Sequence, residues 1–329
     1  MRIKVERTLI AAPVMIACAA LFMLRVPGQG IQGIVARSQS RFADDRADRR
    51  AVSTVTIPVT LRGRGSELID IGGLTVLEDG AKQQVLSVRG ANTSPLTLAV
   101  LIQDDVVPSV GNEIKTLGNF INRLPAGSRV LVGYIRAGSL QVRQRFTSNL
   151  ERAAGALRTP FGNPSSAPYN PYVEIVEGLK RFESQPVGRR AMLVITDGLD
   201  LSRGFDSSTP GQSPDLQRAI NEAQRRGVAV YAFYAPTVGA TAHHNLFLVS
   251  NAQGSLTRLA DETGGHAFFQ GLAAPVSFDP FLKELDLMLA KQLAVTYLST
   301  TSDKGFHRIE VQTGVADLKA AHPAGYTKK

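Results

Sequence analysis

The sequence predicts an α/β fold: a doubly wound, mainly parallel sheet, with a small β unit that the N- and C-terminal flanks form together. Three features predict it. Leu96–Ile102 and Ala191–Ile195 are continuous apolar runs, which are typical of parallel strands buried on both faces. Helical periodicity alternates with such strands through the middle of the chain. In each flank, strand-type patterns follow one another with no helical pattern between the strands.

Residues 1–24 predict a signal peptide or a membrane anchor. Three basic residues lie within the first eight, and a 16-residue apolar stretch follows from Leu9 to Leu24. A helix of that length spans about 24 Å, which is short for a bilayer crossing. Ala17 and Ala19 offer a cleavage site, and an uncleaved anchor stays open as an alternative. We therefore expect an exported protein that is periplasmic, secreted or anchored in the inner membrane.

The flanks of the predicted α/β domain are a linker and two β segments. Residues 25–53 mix Gly, Arg, Ser and Asp without an apolar period, which predicts a linker. Residues 54–94 contain one alternating strand and a hairpin, and residues 293–329 contain two further strands. An isolated hairpin is only marginally stable in water. We therefore expect 293–329 to pack with 54–94.

Residues 95–292 carry the predicted α/β domain. An alternation of strands and helices favours a mainly parallel sheet with helices on both faces. The predicted strands are Leu96–Ile102, Val130–Ile135, Leu140–Phe146, Ala191–Ile195, Val228–Tyr234 and His266–Phe269. The predicted helices are Ile114–Leu124, Leu150–Leu157, Tyr172–Phe182, Leu216–Arg226, Leu256–Thr263 and Phe278–Leu293.

Charge and cysteine content restrict the possible functions. The chain has a net charge of +9, but the first 50 residues hold nine Lys and Arg against four Asp and Glu, and the other 279 hold 28 against 24. Nucleic-acid surfaces need clustered basic residues, and no such run follows Arg50. We therefore expect no nucleic-acid partner. Cys18 is the only cysteine, so no intrachain disulfide can form.

Acidic residues follow two of the predicted core strands. Asp104 and Asp105 come directly after the first strand, and Asp197 comes directly after the fourth. In open α/β sheets the ligand crevice lies beyond the carboxyl ends of the strands. Carboxylates that two strands place at this crevice predict a divalent-cation site with oxygen ligands. Two alternatives stay open: Asp197 can be a turn residue, and Asp104 and Asp105 can cap a helix.

These strand ends resemble those of the von Willebrand factor A domain, over roughly residues 95–292. The chain is similar, more narrowly, to a related group of exported bacterial proteins. The segments that carry this second resemblance, in order, are Leu74–Gly80, Gly127–Tyr134, Leu259–Gly265 and Ile309–Val311 followed by Gly325-Tyr326. The resemblance implies a protein-binding module of adhesion or scaffold type, built around a metal-ion-dependent adhesion site.

The sequence departs from the metal site that the resemblance implies. That site has Asp-x-Ser-x-Ser after the first strand, a Thr from a later loop and an Asp after the fourth strand. Asp197 matches the last part. Alignment at the strand end puts Gln103, Asp105 and Val107 on the first part, and a shift of two instead fits Asp105 and Ser109. No Thr or Ser lies in 169–173, where the second part is expected.

We therefore expect a degenerate site that holds Mg²⁺ or another divalent cation through waters. Its candidate ligands are Asp104, Asp105, Ser109 and Asp197. The sequence contains no phosphate-binding P-loop, nucleophile elbow or H-E-x-x-H motif. We expect a non-enzymatic envelope protein with a protein partner and N-terminal membrane contact, no catalytic residues and no small-molecule substrate. A metal-dependent hydrolase at the same rim and a metal-free structural envelope protein are the alternatives.

Overall fold

In the computed structural model, the described residues form two β-sheets, one from the central segment and one from the flanks. The structure describes residues 53–63, 73–167, 170–238, 245–271, 275–315 and 317–328. The strands are β1 Ser53–Arg62, β2 Leu74–Glu78, β3 Ala81–Arg89, β4 Leu96–Gln103, β5 Arg129–Arg136, β6 Ser139–Thr147, β7 Arg189–Thr196, β8 Ala229–Tyr234, β9 His266–Phe268, β10 Gln292–Ser299, β11 Gly305–Thr313, β12 Lys319–Ala321 and β13 Gly325–Lys328. The helices are α1 Ser109–Asn112, α2 Ile114–Asn122, α3 Leu150–Ala154, α4 Pro171–Lys180, α5 Pro214–Arg226, α6 Leu246–Thr263 and α7 Asp279–Ala290.

The predicted N-terminal segment 1–24 lies outside the described residues, and so does the predicted linker except for its last residue, Ser53, which begins β1. Within the ranges that the structure describes, no helix is both long and apolar enough to cross a membrane.

The central segment forms a six-stranded sheet in the order β6-β5-β4-β7-β8-β9. The chain starts in the middle at β4, moves outward through β5 to β6, and then returns to β7 on the other side of β4. All neighbouring strands are parallel except β5 and β6, which form an antiparallel hairpin. The direction of winding therefore reverses between β4 and β7, and such a reversal is where open α/β sheets bind ligands.

Helices cover both faces of this sheet. Leu98, Val100 and Ile102 of β4 pack in one apolar cluster with α2 and α7, whereas Ala99 and Leu101 pack in a second with α4, α5 and α6. Every residue of β4 is buried, as its continuous apolar run predicted. The predicted α/β class is thus confirmed, in a sheet that is mixed because its edge strand β6 is antiparallel.

Helix α6 is longer than the sequence predicted. It begins at Leu246, where the prediction gave only Leu256–Thr263. The side chain of Asn245 caps it by accepting hydrogen bonds from the amides of Phe247 and Leu248. The added turns bury apolar side chains, and this packing outweighs the cost of Gly254 in the helix interior.

The flanks form a seven-stranded sheet in the order β12-β1-β10-β3-β2-β11-β13. Its paired strands are antiparallel. The longest pairing runs from Ser53 opposite Ser299 to Thr60 opposite Gln292, so a strand from the N-terminal flank lies directly against one from the C-terminal flank. The sheet has its own apolar cluster, which includes Ile57 and Tyr297.

Arg189 joins the last helix to the flanking sheet. It is the first residue of β7 and is buried. Its guanidinium donates hydrogen bonds to the carbonyl oxygens of Ser94, at 3.2 Å, and Gln292, at 2.9 Å, and to that of Leu289 in the last turn of α7. Because α7 leads through one residue into β10, which begins before the predicted boundary, this side chain holds both elements against the central sheet.

Candidate functional site

The loops that follow β4 and β8 meet at the carboxyl-terminal rim of the central sheet. Val106 and Thr237 form an isolated antiparallel bridge. Beside it, the amide of Val107 donates to the carbonyl of Pro236 at 3.0 Å. The rim next to the reversal point between β4 and β7 is therefore built from two tied loops.

Beneath these loops lies a cluster of buried polar side chains centred on Gln103, the last residue of β4. Its Nε2 donates to Oδ1 of Asp105 at 2.9 Å, and its Oε1 accepts from the hydroxyl of Thr196. The hydroxyl of Thr237 donates to Oδ2 of Asp197 at 3.3 Å. Asp105 and Asp197 are only 2% and 5% exposed. One side-chain amide and one hydroxyl thus donate to a pair of buried carboxylates, and a second hydroxyl, that of Thr196, holds the amide in place.

Burial dominates the electrostatics of this pair. It raises the pKa of Asp197 to about 7, and the charge of Asp105 adds to the increase, against hydrogen bonds from Leu199, Gln103 and Thr237 that favour the ionised form. Burial also raises the pKa of Asp105, partly offset by its hydrogen bond from Gln103. Near neutral pH, Asp197 therefore exchanges between its protonated and ionised forms.

Asp104 is engaged in a separate, charge-paired contact. Its Oδ1 and Oδ2 lie 2.7 and 2.8 Å from Nη1 and Nη2 of Arg158, a bidentate ion pair, and the amide of Phe161 also donates to Oδ1 at 3.1 Å. Nε of Arg136 lies 3.8 Å from Oδ2. The pKa of Arg158 is raised, first of all by the hydrogen bond to Asp104. Both oxygens of Asp104 are therefore engaged by basic and amide donors.

The structure divides the four predicted metal ligands. It brings Asp105 and Asp197 together, places Asp104 in the ion pair with Arg158, and leaves Ser109 exposed at the first residue of α1. Over the described ranges, no group of three or more His, Cys, Asp or Glu side chains could hold a metal ion. A hard cation prefers a shell of six or more oxygens, and Asp104 cannot turn toward one without leaving Arg158 unpaired. The residues present therefore do not fit a complete cation site, and Mg²⁺ binding stays a prediction.

Two features of the site went beyond the sequence prediction. The hydroxyl that contacts Asp197 comes from Thr237, after β8, rather than from residues 169–173. Thr237 lies three residues past a recognised strand end, which is the signal that could have found it. Arg158 carries no such signal, since it pairs with Asp104 across 54 residues of sequence.

An aromatic and guanidinium stack continues from this ion pair to the surface. The Arg158 guanidinium lies 4.0 Å from the ring centre of Tyr134 and 4.1 Å from that of Phe161. The Arg136 guanidinium lies 4.5 Å from the Phe161 ring. Tyr134 fixes the loop, because its hydroxyl donates to the carbonyl of Arg158 at 2.7 Å. Phe161 is 55% exposed, so the stack ends in an aromatic surface between two cations.

No protein-family model matches the sequence, and no curated protein matches it. Several solved structures are similar to part of the chain. An aerotolerance-related membrane protein from Bacteroides fragilis NCTC 9343 is 13% identical, with a TM-score of 0.40 over 60% of this chain and 100% of that one. The conserved hypothetical protein BatB from Bacteroides thetaiotaomicron is 13% identical, with a TM-score of 0.39 over 60% and 98%. The SpRpn10 VWA domain is 13% identical, with a TM-score of 0.34 over 56% and 97%.

The central sheet, with its strand order and its antiparallel edge strand, has the von Willebrand factor A-like fold that the sequence motifs predicted. At identities of 13% and TM-scores of 0.40 and below, the structural neighbours carry no inference about chemistry or partners.

Proposed function

We propose that the chain is a non-enzymatic protein-binding module of the cell envelope, and that its partner docks on the rim beyond β4 and β7. One observation carries the proposal. At this rim, the three carboxylates suited to acid–base catalysis are buried and hydrogen-bonded to neighbouring side chains, whereas an aromatic ring, Phe161, is left exposed between two arginines. Exposed aromatic and arginine side chains are typical anchors of protein interfaces.

The burial of the two carboxylates favours a binding function over a hydrolytic one. A general acid or base must come within hydrogen-bond reach of its substrate. Asp105 and Asp197 are almost wholly buried under the tied loops, and Gln103 and Thr237 already contact them. The envelope location rests on the predicted N-terminal segment 1–24, and so does the proposed membrane contact.

Site-specific photo-crosslinking in the full-length protein tests the proposal. A photoreactive residue is placed at Ser109, which is exposed at the rim, or at Val187, which is 57% exposed just before β7 at the opposite end of the sheet. We expect a discrete protein adduct in the native envelope from position 109 and none from position 187. Identical adduct patterns from both positions, or none from either, would contradict a rim-docking partner.

A metal-dependent hydrolase at the same rim is the second candidate, because the pKa of Asp197 is raised to about 7, as catalytic acids and bases require. Calorimetric titration with Mg²⁺ and Mn²⁺ measures cation binding, and a panel of phosphoesters and peptides measures turnover. Turnover that Asp197→Asn abolishes would replace the binding proposal with the hydrolase.

A further inference from the structure

We infer that the docking rim captures a carboxylate of an acidic protein segment through the guanidinium of Arg136 and the exposed ring of Phe161. The inference rests on the proposed function and names the chemistry of the partner. In this scheme a fixed guanidinium supplies the positive charge at the rim, and no bound cation is needed.

The two arginines of the rim differ in how many of their hydrogen-bond donors are free. Arg158 is committed, because its Nη atoms hold both oxygens of Asp104 and Nη1 also donates to the carbonyl of Thr159 at 2.9 Å. Arg136 is the last residue of β5, its side chain is 43% exposed, and its nearest charged contact is the 3.8 Å approach of Nε to Asp104. Within the described ranges its Nη groups donate to no protein acceptor, so they face solvent with their hydrogen-bonding capacity free.

The local charge balance favours an anionic partner. One carboxylate, that of Asp104, lies between the guanidinium groups of Arg136 and Arg158. The surface at Phe161 therefore carries an excess of positive charge that a carboxylate would neutralise.

The stack also prepares Arg136 for binding. Its guanidinium rests 4.5 Å from the centre of the Phe161 ring, whose other neighbour is the immobilised Arg158. A guanidinium held in this way loses less conformational freedom when it binds, and its planar fork matches a carboxylate in bidentate geometry. The ring adds an apolar contact for whatever side chain flanks that carboxylate.

A protein segment fits this surface better than a nucleic acid does. Strands of nucleic acid are bound by grooves that follow many phosphates and stack several bases. Here one guanidinium whose Nη groups are free and one exposed ring lie side by side at the end of the sheet, and this arrangement suits a single carboxylate with a neighbouring side chain.

Fluorescence anisotropy with the full-length protein tests the inference. The probe is a labelled dodecapeptide of alternating glutamate and serine, and its counterpart has glutamine in place of glutamate. We expect Arg136→Gln to raise the Kd of the glutamate peptide about tenfold or more, Arg136→Lys to raise it less, and the glutamine peptide not to bind. Arg218→Gln is the control, because it removes one charge from a side chain that is 67% exposed on α5.

Any one of the following outcomes overturns the inference. They are no binding of the glutamate peptide, equal weakening of its binding by Arg136→Gln and Arg218→Gln, loss of binding on addition of EDTA, and tighter binding of a phosphoserine peptide or an oligonucleotide. The crosslink from Ser109 separates this failure from that of the proposed function. If the adduct persists while Arg136→Gln has no effect on the peptide, the rim docks a partner by other chemistry, and if the adduct is also absent, the docking proposal itself fails.

Discussion

The buried pair Asp105 and Asp197 gives the molecule a predictable pH dependence. In the folded state the pKa of Asp197 is raised from 3.8 to about 7. The folded protein therefore holds a proton on Asp197 over a pH range in which the unfolded chain has released it. Stability from this group is fully present below the unfolded pKa, and it is lost as the pH rises through the folded pKa.

The size of the effect follows from the shift. Each pKa unit corresponds to about 1.36 kcal/mol, so the full contribution is about 4 kcal/mol. Of this, roughly 3 kcal/mol falls between pH 5 and pH 8. We expect Asp197→Asn, which cannot ionise, to remove that part of the pH dependence and to be the more stable protein at pH 8. The gain is partly offset, because the amide weakens the contact with Thr237.

Urea unfolding of the full-length protein at pH 5, 6, 7 and 8 measures the difference in unfolding free energy between wild type and variant. Asp261→Asn, a substitution at an exposed position on α6, is the matched control and should follow the wild type. Curves of wild type and Asp197→Asn that stay parallel over this range would refute the reasoning, because Asp197 would then be ionised throughout. If millimolar Mg²⁺ made the two curves parallel, a cation would be stabilising the ionised pair.

Three further substitutions test other parts of the structure. Arg158→Met leaves the carboxylate of Asp104 buried without its cation and should lower the unfolding free energy by about 3–5 kcal/mol in urea. Adding Asp104→Asn to this variant should restore part of that loss. An unchanged unfolding midpoint in Arg158→Met would mean that the ion pair does not form. Arg189→Met removes the donors to three buried carbonyl groups and should cost about 3 kcal/mol, with faster hydrogen exchange in 287–299; exchange that stays slow would count against its role in holding α7 and β10. Gly265→Ala would put a Cβ 1.9 Å from the carbonyl oxygen of Val230 and should cost about 3 kcal/mol, whereas Gly211→Ala, with nothing within 4 Å, should leave the melting temperature nearly unchanged.

The parts of the fold that were predictable depend on local patterns. The apolar runs of β4 and β7 are continuous because both faces of these strands are buried, and this property is visible in a single stretch of sequence. The first half of α6 was missed because its support is tertiary. Its apolar residues pack on α5 and the central sheet, and the only local start signal is Asn245, which lies far from the strong period at Leu256.

The candidate site was predictable only where chain topology alone decides. The positions of Asp105 and Asp197 after neighbouring parallel strands put them at one rim, and in the structure their charges interact. The ion pair of Asp104 was not predictable, because its partner Arg158 follows a short helix and no sequence pattern marks the pairing. The contrast between two adjacent aspartates, one facing Asp197 and the other Arg158, arises from side-chain direction, which a one-residue uncertainty in strand register reverses.

The pairing of β1 with β10 has a consequence for the order in which parts of the chain fold. Ser53 pairs with Ser299, so β1 and β3 lack their neighbour until β10 has been made, and β2 lacks its outer neighbour until β11 has been made. Distant strand pairings are slow to form, and strands awaiting them are prone to aggregate. During synthesis, the central α/β unit can assemble before the strands of the N-terminal flank find their partners. A chaperone that shields 53–89 would therefore raise the yield of native protein more than one acting on the last strands.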